Sequence, residues 1–129
     1  MTSTYAATED ELQKQVVEWL NVALPPGCVF HHSPNEGRRH VAFKRKLRQM
    51  GTQYGWPDLE IFVPGDQATH GISTSIFIEL KRPKGGKLNP NQEEMKARLL
   101  LAGCHWGLAR SVEQVHEILE PLVKLRAGV

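Results

Sequence analysis

The stretch from Gly55 to Lys81 limits what this chain can fold into more than any other. Two short runs rich in branched apolar residues, starting at Leu59 and at Ile76, flank the turn-forming segment Pro64 to Gly71, which predicts a β-hairpin. Side chains alternate along a strand, so Leu59, Ile61 and Val63 share one face and Asp58 and Glu60 take the other. In the second run Ile76, Ile78 and Leu80 form the apolar face, and Glu79 and Lys81 turn away from it together. Matching the two apolar faces folds the runs back on each other about residues 68 and 69. In that register Asp58 stands beside Glu79.

Two carboxylates and an ammonium on one sheet face, with an apolar layer behind them, suit a hard divalent cation. Mg²⁺ takes oxygen ligands, keeps several waters and uses one or two carboxylates together with phosphate oxygens. Lys81 then stands where a water is polarised for attack or where negative charge develops on phosphorus. Charged residues on the outer face of a half-exposed strand are also common, and Glu79 with Lys81 reads equally as a solvated surface pair. What favours the site is the conjunction of Pro57-Asp58, the register, and a Glu-x-Lys whose middle residue is apolar.

At 129 residues the chain is expected to be one domain, 1–129, with a single core. Its 40% hydrophobic and 23% charged residues are those of a soluble globular protein, and its longest apolar run, Leu99 to Ala102, is far too short for a membrane span. The first ten residues are polar and end acidic, unlike a secretory leader. Cys28 and Cys104 are too few and too far apart for a zinc motif and are expected to be buried reduced thiols. A cytoplasmic setting, in a bacterium or a phage-infected cell, follows as the expectation. The net charge of +2 is small, but its distribution is uneven. Arg38, Arg39, Lys44, Arg45, Lys46 and Arg48 lie between Gly37 and Pro57 with no acidic residue among them. Lacking the interleaved acids that pair along an ordinary surface helix, this segment reads as a phosphate-tracking face.

Along the chain, Thr8 and Glu11 form a capping box that opens a helix running to about Val22, with Leu12, Val16, Trp19, Leu20 and Ala23 as its apolar stripe. Pro25-Pro26 ends it. A first strand spans Cys28 to His32, Ser33 to Gly37 is turn chemistry, and Arg38 to Met50 is expected to be a basic helix ending at Gly51. His31 and His32 point to opposite sides of a strand, which weakens a histidine-metal reading. Tyr54 and Trp56 are candidates to stack on a base, Trp56 being more suited to packing on the hairpin. After Lys81, the loop Arg82 to Lys87 is basic, through Lys84 and Lys87. It has no Walker-type Gly-Lys-Ser/Thr, so no small-molecule phosphate cofactor is predicted. Asn89, Pro90 and Gln92 open a helix with Met95, Leu99 and Ala102 on one face. A strand, His105 to Arg110, leads into a last helix with a third capping box, Ser111 to Gln114, and core positions from Val112 to Val123. The order is α-β-α-β-β-α-β-α, a mixed four-stranded sheet flanked by helices, with neighbouring strands around the third helix running parallel.

Pro57-Asp58 followed by Glu79-Leu80-Lys81 resembles the PD-(D/E)xK nuclease signature. The wider set is similar to the virus-type replication-repair nuclease (VRR-NUC) domain: Glu11 on an N-terminal helix, Asn35-Glu36-Gly37, Gly55-Trp56-Pro57-Asp58, Glu79-Leu80-Lys81 and Gln92. The resemblance implies an α/β fold with a restriction-endonuclease-like core and a Mg²⁺- or Mn²⁺-dependent endonuclease acting on DNA. Asp58, Glu79 and the Leu80 carbonyl then hold the metal, Lys81 serves the attacking water, and Glu11 and Gln92 join the site, with Glu18 the alternative to Glu11. Asn35 and Glu36 lie nearby. Homodimers cutting branched DNA such as four-way junctions are implied in the same way. The competing readings are a nucleic-acid-binding module that does not cut, and a subunit whose basic face docks an acidic protein.

Overall fold

The computed structural model describes residues 8–33 and 41–128. In chain order these form α1 (Glu9–Ala23), β1 (Val29–His32), α2 (Val41–Gln49), β2 (Leu59–Val63), a 3-10 turn (Gly65–Gln67), β3 (Thr74–Leu80), α3 (Pro90–Leu101), β4 (His105–Ala109) and α4 (Val112–Leu119). The sheet order is β1-β2-β3-β4. The first two pairings are antiparallel, and β3 with β4 is parallel across α3. The expected element order and mixed four-stranded sheet are both present.

Pairing of β2 with β3 follows the predicted register, with Leu59 opposite Ile78 and Ile61 opposite Ile76. The reason is burial: Leu59, Ile61, Val63, Ile76, Ile78 and Leu80 all turn to one side and vanish from solvent. Slipping the strands by one residue would expose the whole set. Against that face lie Leu12, Val16 and Leu20 of α1 and Val115 and Leu119 of α4. Each such side chain contributes roughly 1.5–3 kcal/mol by leaving water, enough to hold the hairpin in register against the repulsion described below. On the opposite face of β3, Phe77 packs with Met95 and Leu99 of α3 and with Trp56 and Trp106. Thus β3 is buried on both sides from Ile76 onward.

The caps are as the sequence spells them for α1 and α3. Thr8 and Glu11 exchange backbone bonds of 3.0 and 3.1 Å, and Asn89 and Gln92 do likewise at 3.0 and 2.9 Å. Three expectations are corrected. Gln114 does not complete a box with Ser111, because its side-chain oxygen accepts the Arg110 N–H instead, at 2.6 Å. The last helix ends at Leu119, and Val123 instead bridges to Ala68 as an isolated strand-like pair. Pro121 lacks the N–H that a further turn would need. The described part of the basic helix, Val41–Gln49, buries none of its residues, and Met50 after it is exposed too. Arg38 and Arg39 lie outside the described residues, as do Asn35 and Glu36. Cys28 and Cys104 are free thiols but only half buried.

Gly55 ties the loop before β2 to the start of α3. Its φ is +71°, and a Cβ there would sit inside the van der Waals shell of the Asn91 carbonyl. Gly103, after α3, has a φ of +89° with open space around it. Gly103→Ala should therefore cost only backbone strain, about 1 kcal/mol. Gly55→Ala adds a backbone collision and should cost about 2–4 kcal/mol by urea unfolding. Equal costs for the two would show that the Gly55 contact does not constrain the fold.

Candidate active site

Asp58 immediately precedes β2 and Glu79 is the penultimate residue of β3, one step outward from the Leu59–Ile78 pair. Their carboxyl groups come within hydrogen-bonding reach of each other. Asp58 is fixed by its surroundings. Its Oδ2 accepts the Leu80 N–H at 2.7 Å, and its carbonyl accepts the Ser33 N–H at 2.9 Å and lies 3.0 Å from His32 Nδ1. His32 thus braces the Asp58 backbone. Glu79 is only 4% exposed, and Lys81 8%. A solvated surface pair is excluded by that burial. The Lys81 Nζ stands 3.9 Å from Glu79 Oε2.

Crowding decides the protonation state of Glu79. Burial penalises its charged form, and the Asp58 charge and hydrogen bond add to this, so the carboxyl is pushed up to about 9 despite Lys81 nearby. Metal-free, Glu79 therefore keeps its proton at neutral pH.

Gln92 caps α3 and also reaches Glu79. Its side-chain oxygen accepts the Asn89 N–H in the α3 cap, while its Nε2 donates to Glu79 Oε2 at 3.0 Å. A helix cap and a site contact are made by one amide. Glu11 is placed differently from the site role that the resemblance implied. Its carboxylate takes the Thr8 N–H, and it does not line the cleft beside Asp58 and Glu79. Glu18 is exposed and lies outside that lining too. Glu9 does line it, and its charge reaches Glu79. Two residues on a helix are turned about 200° apart, so Glu9 and Glu11 cannot both face the sheet edge. Sequence reasoning missed Glu9 because the capping box explained the first acidic turn completely.

The cleft holds about 670 Å³ and runs from these carboxylates past Lys81 and Gln92 to Lys44, Leu47 and Tyr54. Of the basic segment, Lys44 reaches the cleft wall, Arg48 lies over the Tyr54 ring, and Arg45 and Lys46 face solvent. Trp56 packs edge-on against Phe77, with ring centroids 5.5 Å apart. Lys84 and Lys87 are exposed on the loop after Lys81. That loop is clamped by Arg110, whose guanidinium donates to the carbonyls of Arg82, Gly85 and Gly86 at 2.9, 2.7 and 2.8 Å. Arg110 also went unnoticed in the sequence. Parallel pairing of Leu80 with Ala109 puts it next to Lys81, a proximity invisible before the β3–β4 register is known.

An oxygen-rich acidic pair beside a buried ammonium, opening on a cleft that Lys44 also lines, can hold a dication and a phosphodiester together. No protein-family model matches the chain, and no curated protein matches it. Among solved structures, one described as a "VRR_NUC domain protein" is 27% identical, with a TM-score of 0.68, covering 90% of this chain and 88% of its own. Another, described as a "VRR_NUC domain", is 23% identical with a TM-score of 0.56, covering 88% of this chain and 97% of its own, and it speaks to the fold alone. Sheet order and this likeness give the chain a restriction-endonuclease-like α/β fold, similar to that of proteins described as nuclease-type VRR_NUC domains.

Proposed function

We propose that the chain is a metal-dependent endonuclease that hydrolyses DNA phosphodiesters, with Mg²⁺ or Mn²⁺ as its cation, branched DNA as its preferred substrate and a homodimer as its working form. One arrangement carries the reading: the buried Glu79 carboxyl and the half-buried Asp58 carboxylate crowd together, and a dication between them would displace the Glu79 proton and neutralise both groups. The donors fit such an ion, being oxygens only, with cleft volume left for waters and a phosphate. Asp58 and Glu79 would hold it, with the Leu80 carbonyl added by the family resemblance. When bound, the cation polarises the scissile phosphate and acidifies a water.

The chain's own groups supply the rest. Gln92 fixes the Glu79 carboxylate by its amide N–H, and the Leu80 N–H fixes Asp58, so neither side chain must be ordered when substrate arrives. The Lys81 ammonium, held 3.9 Å from Glu79, orients the attacking water and balances charge gathering on the phosphate oxygens. Water oxygen bonds to phosphorus, the opposite P–O bond breaks, and the departing oxygen takes up a proton. Lys44, Arg45 and Lys46 on one side and the loop bearing Lys84 and Lys87 on the other hold the backbone, with Arg38 and Arg39 joining by sequence alone.

Linear, flapped and four-way DNA incubated with the protein should be cut with Mg²⁺ and not with EDTA. Lys81→Ala should lower the rate about 10²- to 10⁴-fold while binding persists. Binding without cleavage by the unaltered chain would leave the non-cutting module, and no binding would leave the acidic-protein partner.

Glu79 also predicts a pH dependence. Its folded value of about 9 lies above the ordinary 4.5, so between these the folded chain keeps a proton the unfolded chain has lost. Unfolding free energy of the chelated protein should then fall as pH rises from 4.5 to about 9, and Glu79→Gln should flatten that slope in urea melts. Because the ion displaces the proton, Mg²⁺ affinity should climb up to about tenfold per pH unit in the same window. Calorimetric titration at pH 6 and pH 8 reads it, and an affinity independent of pH would remove the proton-for-metal exchange.

A further inference from the structure

Tyr54 has no task in the chemistry above, yet the fold takes trouble to hold it. Its neighbour two residues on, Trp56, is drawn into the core against Phe77, whereas Tyr54 is 51% exposed and lines the cleft. One face of its ring carries the Arg48 guanidinium. Gly55 follows directly, and its close approach to the Asn91 carbonyl pins the ring to the first turn of α3. Gln92, the next residue, holds Glu79. The ring's distance from the carboxylates is thereby set by a rigid chain of contacts, as expected of a recognition group and not of a surface residue.

A flat, half-exposed ring braced on one side offers one π face to one flat partner. On the nuclease reading the partner accompanies a phosphate, since Lys44 and the acidic pair line the same cleft as the ring. Gln53 and Asn91 border the cleft too, and their amides carry both donors and acceptors for a base edge. In a continuous duplex each base has both faces covered by its neighbours, so a protein ring can stack only on a base that has left the helix.

We propose that Tyr54 is the stacking platform for one extruded or unpaired nucleobase next to the scissile phosphate, making DNA with an unpaired nucleotide at the cut the substrate class. This rests on the nuclease reading and narrows it. A continuous duplex leaves the Tyr54 face unused, whereas a flap or junction delivers a free base to it. Gln53 and Asn91 then meet the base edge and Lys44 the adjoining phosphate.

The probe is a set of flapped duplexes with 2-aminopurine at each unpaired or junction-flanking position in turn, and a matching set abasic there, bound in EDTA so that no strand is cut. The chain should quench 2-aminopurine at one position, and the abasic substrate at that position should bind about tenfold more weakly. Tyr54→Phe should behave as the unaltered chain. Tyr54→Leu, which keeps apolar bulk beneath Arg48, should lose the quench and bind both substrates equally. If Tyr54→Leu weakens both sets alike, or retains the quench, the ring only supports Arg48 and the proposal fails. Cleavage assays on the same duplexes in Mg²⁺ separate the two readings. A chain that quenches but never cuts keeps the base subsite and loses the nuclease, and one that cuts without quenching loses the base subsite alone.

Discussion

Pairing β2 with β3 forces Asp58 and Glu79 together, and most of the surrounding structure is a response to that contact. Like charges in a partly dry site repel, so the folded chain needs either a proton or a cation between them. The apolar side of the same hairpin supplies the free energy that holds them there: six buried aliphatic side chains share the register that crowds the acids. Stability and site are two faces of one strand pair, related by the two-residue alternation of side chains.

Around the acids, each neighbour restricts one degree of freedom. Leu80 donates its amide to Asp58, Gln92 its side-chain amide to Glu79, and Lys81 sets a compensating charge within 4 Å of that carboxylate without a direct hydrogen bond. Gln92 can do this because it belongs to the α3 cap, so helix initiation and carboxylate orientation depend on the same side chain. Gly55 presses the Asp58 loop against that helix start.

Positive charge is concentrated in α2 and in the loop after Lys81. The loop is clamped by three carbonyls converging on Arg110. A guanidinium's planar fork suits such multiple acceptors, which a lysine could not satisfy together. The clamp leaves Lys84 and Lys87 outside it, facing solvent where a phosphate backbone would pass.

Local rules made much of this readable from residues alone. Alternation gave away both faces of the hairpin, and matching those faces located Asp58 opposite Glu79, because a one-residue slip would drown the apolar set. Thr8, Asn89 and Ser111 each announced a helix start, since their side chains satisfy amides that any helix leaves free. The stop before Pro121 went unread, because the apolar pattern beyond it argued for a longer helix. Long-range geometry was not legible. Whether Glu9 or Glu11 faces the cleft turns on how α1 is rotated against the sheet, and Arg110 meets its loop only because β4 lies parallel to β3 in one register. The depth at which Glu79 and Lys81 are buried depends on α3 covering the outer face of β3. The sequence by itself thus determined which residues share a face and where helices begin, as these follow from backbone periodicity and unpaired amides. Only the tertiary structure decided which faces meet and how dry the meeting place is, since packing distant segments together sets both distance and dielectric.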